Sequence, residues 1–529
     1  MFRKLSKVYH YYRLRLENDK QTHDEDNLSG VSNIPQNIPT SLEELIEYLN
    51  KTFEDYGDLV LRKVQLGDDA NKIVVVYING LINKQRLNAD ILKPIMIYSR
   101  TTDLDKTINQ RTLPQILMEN LLPTFQIKEV THLEQSINGI LDGYALIYIE
   151  GNAMALQVDT KGWSERNVDK PITESTVRGP RESFIESLET NISLLRRKIK
   201  NPNLKIENYR IGEQSHTNVV ICYLKGIVDD NIIKTVRSRL KKIKIDAILD
   251  SGYVEQFIED NPFSIFPTIG NSEKPDRIAA KILEGRVAIF CDGTPTVLTV
   301  PYLFTETIQA SDDYYSRFFL GSLNRILRTL AFIITISAPG VYIALITFHS
   351  NSIPLKLLLS IAASVEGLPF SPFIEALFMT TAFELLKEAG IRMPRPFGQS
   401  ISIVGALIIG EAAVNASLVS NIMVIIIALT GICSFIIPPI QDSVHLIRLT
   451  IMLAANILGF LGIIIILMLL SIQMCSISSF GVPYMSPLAP FHKNELKDSV
   501  IKLPIWMMTK RPKSLIGDNP NKTRMKKRQ

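Results

Sequence analysis

ISIVGALIIGEAAVNASLVSNIMVIIIALTGICSFIIPPIQDSVHLIRLTIMLAANILGFLGIIIILMLLSIQ, residues Ile401–Gln473, holds three formal charges: Glu411, Asp442 and Arg448. A membrane-spanning helix needs roughly 20 mostly apolar residues. Ile401–Leu418, Ile422–Ile440 and Leu446–Ile472 fit that requirement, and Leu330–Phe348 precedes them. Between Leu330 and Ser364 the one charge is Lys356. Irregular backbone cannot face lipid, so such segments must be helical. The sequence therefore predicts an all-α polytopic membrane domain over residues 316–475, preceded by an α/β soluble region.

Charged residues make up 21% of the 529-residue chain and are nearly absent from this block, a segregation expected of a membrane protein with large soluble parts. The formal net charge of +5 comes with no basic stripe interleaved with aromatics, which excludes nucleic acid as the expected partner. Cys222, Cys291, Cys433 and Cys475 are dispersed and read as reduced packing thiols. No secretory signal is visible at the N-terminus, and Arg317, Arg325 and Arg328 precede the first span; both point to a cytoplasmic N-terminal region.

Outward from the block, residues 1–40 read as a disordered basic and polar extension. Ser41 followed by Glu44 is a capping-box pattern opening a helix at about 41–54. An internal duplication follows. Ile73–Leu81 (IVVVYINGL) is echoed by Val219–Ile227 (VVICYLKGI), and Leu141–Gly151 (LDGYALIYIEG) by Leu283–Gly293 (LEGRVAIFCDG). Order and spacing both repeat. This predicts two related α/β subdomains, within 41–200 and 201–315, each with a mixed sheet backed by helices. A linking helix at about Pro180–Lys200 ends in Arg196, Arg197 and Lys198, read as C-terminal capping and solvated charge. Asn261–Gly270 (NPFSIFPTIG) reads as rigid turns that fix the soluble part on its spans. Asp312–Tyr315 leading into Arg317 reads as an interfacial anchor.

Within the block, Ser400–Ser417 combines small residues with polar ones. Gly405, Ala406, Gly410 and Ala413 let helices approach closely, beside Ser402, Ile409, Glu411 and Asn415. A lone lipid-facing Glu411 costs a few kcal/mol, so it must face protein or water. Two readings stand: a helix lining an aqueous path, or tight helix packing with Glu411 satisfied at an interface. Glu366 and Glu375 are further intramembrane acid candidates. Glu384 and Glu388 read as acids in water on a helix along the interface, and Asp442, His445 and Arg448 as a solvated turn with too few ligands for a metal. Residues 476–529 read as a Pro-rich segment and a basic cytoplasmic tail near anionic lipid. A conflict remains. Both termini on one side require an even number of crossings, which four spans give only if Ile353–Ala389 does not cross. That leaves GIRMPRP (Gly390–Pro396) on the outer side, against its charge.

Longer stretches carry a family resemblance. They include PITESTVRGPRESFIESLETNISLLRRKIK (Pro171–Lys200), EKPDRIAAKILEGRVAIFCDGTPTVLTVP (Glu273–Pro301), DDYYSR (Asp312–Arg317), the run Glu375–Val414, SFGVPYMSPLAP (Ser479–Pro490) and IKLPIWMMTKRP (Ile501–Pro512). Over about residues 41–515 the chain resembles the A subunit of GerA-family spore germinant receptors. The resemblance implies a subunit of a nutrient receptor in the spore inner membrane. Its partners would be a transporter-like, nutrient-binding B subunit and a lipoprotein C subunit. It also implies self-association, as a pentamer, into a nutrient-gated cation channel, which favours the pore reading of Ser400–Ser417. No cofactor and no catalytic residues are expected: there is no P-loop, HExxH, nucleophile elbow or paired catalytic carboxylate. A secondary transporter would show inverted repeats in the membrane block, and none is seen. A non-conducting scaffold is the other alternative.

Overall fold

The computed structural model describes residues 37–65, 72–98, 113–118, 122–123, 127–162, 174, 178–392, 410–492, 496–508 and 510–516. The first subdomain opens with helix α1 (Leu42–Thr52), followed by strands β1 (Leu59–Gln65) and β2 (Lys72–Ile78) and a run of short helical turns. Strand β3 (Ile127–Val130), helix α2 (Leu133–Leu141) and strands β4 (Ala145–Ile149) and β5 (Ala155–Val158) complete it. Helix α3 (Leu188–Lys198) leads to the second: β6 (Leu204–Ile211), β7 (Thr217–Leu224), α4 (Asp230–Lys242), α5 (Ser251–Ile258), β8 (Gly270–Ser272), α6 (Pro275–Leu283), β9 (Val287–Cys291) and β10 (Val297–Val300).

The sheet orders are β1-β2-β4-β5-β3 and β6-β7-β9-β10-β8. These are the same order twice, which is what an internal duplication requires. Every pairing in both sheets is antiparallel, so the expected mixed sheet is corrected. The physical reason is in the connections. Short connections join β4 to β5, β6 to β7 and β9 to β10, while α2 and α6 carry the chain from the edge strands β3 and β8 to the central strands β4 and β9. The inner strands are apolar on both faces (β2, β4 and β9 are almost wholly buried), because helices or the other half cover each side.

Four local expectations are also corrected. Residues 37–40, read as part of a disordered extension, dock on the first subdomain: Ile38 is buried and the Gly151 N–H donates to the Thr40 carbonyl. Ser41 is the N-cap of α1, but its side chain makes no capping hydrogen bond. The linking helix starts at Leu188 rather than Pro180. Asn191 bonds both the N–H and the carbonyl of Ile185, and the Phe184 N–H donates to Glu273, so the preceding chain is held extended. At the other end of α3, Arg196 is not a solvated cap. It is buried, pairs with Asp58 of the first subdomain, and stacks 3.7 Å from the Tyr56 ring centre. Arg197 and Lys198 pair with Glu182.

After β10 come two short helices, α7 (Phe304–Ile308) and α8 (Ser311–Tyr315). The helical bundle follows: α9 (Phe318–Phe348), α10 (Leu355–Val365), α11 (Pro372–Arg392), α12 (Asn421–Phe435), α13 (Gln441–Leu458) and α14 (Phe460–Ser476). Among the described residues, α9 alone is long and apolar enough to cross a membrane by itself; α10, α12, α14 and Ser443–Leu458 are shorter apolar helices. The expected single run Leu446–Ile472 is two helices. Gly459 breaks it at φ +60°, ψ −139°, a conformation that side chains other than glycine's hardly allow.

Contacts give the helix directions. A Cβ on Gly340 would meet Ile451, and one on Gly459 would meet Phe348 and His349, so α9 and α13 run parallel, away from the sheets. Helix α14 starts beside His349, its Phe460 ring 4.8 Å from the imidazole, and returns to the sheets, where the Ser479 hydroxyl bonds the Thr268 carbonyl. Helix α12 starts at the far end, beside Tyr342 of α9, and also runs back. So does α11, from Glu375, which bonds Ser420 at the far end, to Glu384, which reaches His445 near the sheets.

Candidate functional site

Two places in this architecture hold charge where apolar packing is expected: the joint between the second sheet and the bundle, and the bundle itself.

The joint is built by local sequence. Glu306 and Asp313 are each the third residue of a short helix and accept from the N–H of the residue before it, Leu303 at 3.1 Å and Ala310 at 3.2 Å. This leaves the rest of each carboxylate pointing inward. Glu306 receives Arg286 at 2.9 Å and Lys281 at 3.1 Å. Asp313 receives Arg325 at 3.0 Å and Arg328 at 2.8 Å, both from the first turns of α9. The chain beyond α14 closes the network: Asp498 accepts from Arg325 and from the Tyr314 hydroxyl, each at 2.8 Å, and Lys502 donates to the Asp313 carbonyl. Burial disfavours the charge of Glu306, yet Arg286 and Lys281 outweigh it and hold its carboxyl below the ordinary range. Burial pushes Lys281 down to about 8. Burial likewise raises Asp498 and lowers Lys502. A cavity of about 280 Å³ opens beside this network, lined by Arg277, Lys281, Arg286, Glu306 and Tyr314 among others.

These positions correct two expectations. Arg325 and Asp313, read as a flanking positive charge and an interfacial anchor, are both fully buried. The tail, read as basic and lying near lipid, packs against protein up to its last described residues: Leu515 is wholly buried in the second subdomain and Ile516 bridges to Val228.

Inside the bundle, Glu384 of α11 accepts from His445 at 2.7 Å and Arg448 at 2.8 Å, both on α13, with Lys387 3.2 Å from the other imidazole nitrogen. His445 and Arg448 therefore lie on a helix and not in a solvated turn, and Glu384 is a partly buried interhelical ligand and not an acid in water. Glu388 pairs on the surface with Arg392. Glu375 is buried and accepts the Ser420 N–H at 3.0 Å, fastening α11 to the start of α12; Glu366 is exposed after α10. Among the described residues no group of three or more His, Cys, Asp or Glu is placed to hold a metal.

Of the predicted stripe, Ser402, Gly405, Ala406 and Ile409 lie outside the described residues. Residues 410–415 are helical. Gly410 and Ala413 are buried, and a Cβ on Gly410 would sit 3.5 Å from Val424 of α12. Glu411 and Asn415, one turn apart on the opposite side, are exposed.

Residues 47–514 match the model of the Bacillus/Clostridium GerA spore germination protein family. The chain belongs to the GerA family. Spore germination protein KA of Bacillus subtilis (strain 168) is 43% identical, over 91% of this chain and 88% of KA. Spore germination protein GerLA of Bacillus cereus is 35% identical, over 90% of this chain and 96% of GerLA. The N-terminal domain of the A subunit of the Bacillus megaterium spore germinant receptor GerK3, a crystal structure, is 31% identical. It covers 52% of this chain and 99% of its own, with a TM-score of 0.41.

The joint of this GerA-family chain is what sequence reasoning missed. Asp498 and Lys502 lie more than 170 residues from the arginines and aspartate they meet, and no local pattern links them. The one available signal was that DDYYSR and IKLPIWMMTKRP both carried the resemblance although neither was assigned a shared role.

Proposed function

We propose that this protein is the A-type subunit of a nutrient germinant receptor that triggers spore germination, and that it assembles with copies of itself, around an aqueous path, as a gated cation channel. The observation that carries the channel reading is the stripe of Glu411 and Asn415. Its helix packs its small-residue face on α12 and leaves both polar side chains uncovered at the surface of an apolar bundle. A carboxylate in that place is costly against lipid and satisfied against water. The helix directions support a multi-pass arrangement. Helices α9 and α13 lead away from the sheets, and α11, α12 and α14 lead back. Gly410 lies at the far end, beside Val424 at the start of α12. On this reading α11 would cross, and the run over residues 446–472 would supply two passes.

The sheets and the tail would lie in the cytoplasm, below the inner membrane of the spore. B- and C-type subunits are the partners expected of a receptor of this kind, the B subunit supplying nutrient recognition. A pore can respond only to a ligand with different affinity for its open and closed states. The buried joint, which grips α9 from the second subdomain and from the tail at once, is the part rigid enough to transmit such a bias.

The test is ion flux through the purified protein in liposomes, with and without its B and C partners and nutrient. Glu411→Gln and Asn415→Leu are compared with wild type after equal assembly has been confirmed. Flux that responds to nutrient and changes in both variants is expected. Flux indifferent to both substitutions moves the path to another helix, and no flux with intact assembly supports the scaffold reading.

A further inference from the structure

The loop that joins α5 to β8 brings Pro262 and Phe263 to the surface. Phe263 is fully exposed, whereas its neighbours turn inward: Phe266 is buried in the bundle-side core and Ile265 packs on it. The turn is fixed by the Ser264 N–H donating to Asn261 at 2.9 Å. On the adjoining helix α5, Tyr253 and Phe257 stand one turn apart on the outer face, with Leu249 before them, all exposed; Val254 and Ile258 face the sheet. Tyr253 and Phe257 thus share one face of α5, and Leu249 and Phe263 are exposed in the chain just before and after it.

Their level along the bundle is given by the helices. A hydrocarbon layer about 30 Å thick takes about 20 helical residues at 1.5 Å each. Counted back from Phe348, that reaches Thr329 on α9. The parallel contacts pair Gly340 with Ile451 and Phe348 with Gly459, a constant offset, so the same level on α13 is at its beginning, next to Ile440. The Ser443 hydroxyl donates to the Ile265 carbonyl at 2.5 Å. The loop therefore reaches the inner boundary of the hydrocarbon layer, with Phe263 pointing out from it. Positive charge lies close by. The Arg239 guanidinium is 4.5 Å from the ring centre of Phe480, just after α14, and the exposed Lys241, Lys242 and Lys244 follow it directly. Of the neighbouring acids, Asp260 pairs with Arg239, Glu259 accepts from Thr268 and Asp250 accepts from the Gly252 N–H, while Asp246 is exposed beside the lysines.

We infer that this edge of the second subdomain, the 261–266 loop with the outer face of α5 and the lysines at the end of α4, is seated in an anionic lipid surface, with Phe263 inserted at the headgroup end of the acyl chains. Aromatic side chains favour that depth, and lysines beside them favour anionic headgroups. The inference rests on the bundle crossing the membrane as proposed above. A seated loop holds the second subdomain at a fixed height, so that movement of α9 and α13 is resisted by lipid as well as by the buried joint.

The test uses the full chain in vesicles, with Cys475→Ser to remove the exposed thiol among the described cysteines. Single cysteines replace Phe263, Phe257, Leu453 on the exposed side of α13, and Lys128 on β3, and each carries an environment-sensitive fluorophore. Quenching by lipids spin-labelled near the headgroup is compared in phosphatidylglycerol-containing and pure phosphatidylcholine vesicles. Expected are blue-shifted, quenched emission at 263, weaker quenching at 257, and none at 128. Reversing Lys241, Lys242 and Lys244 to Glu is expected to reduce the signal at 263 in the anionic vesicles. Blue-shifted but unquenched emission at 263 means a protein covers the loop, a second copy or a partner, and overturns the inference, as does unshifted emission. Position 453 separates the two readings: if it too escapes quenching by any lipid label, the crossing of the bundle fails; if it is quenched and 263 is not, the lipid seat alone fails.

Discussion

The Asp313 carboxylate and the Arg325 guanidinium, neither exposed to solvent, meet at 3.0 Å across the join between α8 and α9. Arg328 and Lys502 converge on the same residue. Such a site is not strong because it is ionic; its weight lies in the cost of breaking it. Removing one charge leaves the others buried and unmatched, at about 3–5 kcal/mol. Asp313→Asn is therefore expected to lower the thermal unfolding midpoint of the detergent-solubilised protein sharply. Asp313→Leu combined with Arg325→Met should recover much of that loss. A double variant as unstable as the single one would show that the network stabilises by geometry rather than by balanced charge.

Arg196 ties the two halves of the soluble region together, through Asp58 and the Tyr56 ring. Arg196→Lys keeps the charge but loses the two-pronged contact and the planar stacking, an exchange that is not conservative at such a site. The expected result is a loss on the order of 1–3 kcal/mol, seen as faster protease cleavage between the subdomains with the sheet content unchanged. Unaltered cleavage would mean that apolar contacts alone hold the halves.

How much of this was legible follows a simple divide. The duplication was readable because apolar strand runs and glycine turns are local signals, and Gly143 and Gly285 occupy matching places with φ of +86° and +101°. Strand direction was not, since the sequence of a buried strand looks the same in either sense. The apolar helical block was visible from its lack of charge, but its count of helices was not. One residue, Gly459, divides an apolar run that contains no proline or charge at the break. Glu375 was read as an acid within the apolar block, but its fastening of α12 depends on Ser420, 45 residues away. The joint was illegible for the same reason in a stronger form: its partners come from three distant segments.

Gly459 and Gly462 make the turn between α13 and α14 specific. The backbone of Gly459 lies where residues with a Cβ are strained by about 1–3 kcal/mol. A Cβ on Gly462 would fall 2.2 Å from the Ala454 carbonyl, which cannot move aside as a side chain could. Gly459→Ala is expected to destabilise moderately and Gly462→Ala more. Both should weaken a crosslink engineered between positions 349 and 460, whose rings now lie 4.8 Å apart. A Gly462→Ala protein with unchanged crosslinking and melting would mean the turn relaxes more easily than its packing suggests.

Glu255 on α5 gives a pH dependence with a definite sign. Burial first, then the charges of Glu259 and Asp250, push its carboxyl up to about 7 from the ordinary 4.5. The folded protein therefore holds this proton more tightly than the unfolded chain does. As pH rises from about 4.5 to about 7 the unfolded state releases the proton while the folded state keeps it, so the folded state loses stability through that window and does not regain it above. Glu255→Gln, which keeps the shape without the charge, should raise stability at pH 7.5 by on the order of 2 kcal/mol and change little at pH 4. Thermal midpoints of wild type and variant at the two pH values decide it. Lys281 works in the opposite sense and in a separate range. Depressed to about 8, it adds stability only as pH climbs from there towards 10.5, so the two contributions can be told apart in one titration. Equal midpoints for wild type and Glu255→Gln at pH 7.5 would show that the carboxylate is solvated in the folded protein, and would remove the reason for expecting α5 to loosen as the surroundings turn from acid to neutral.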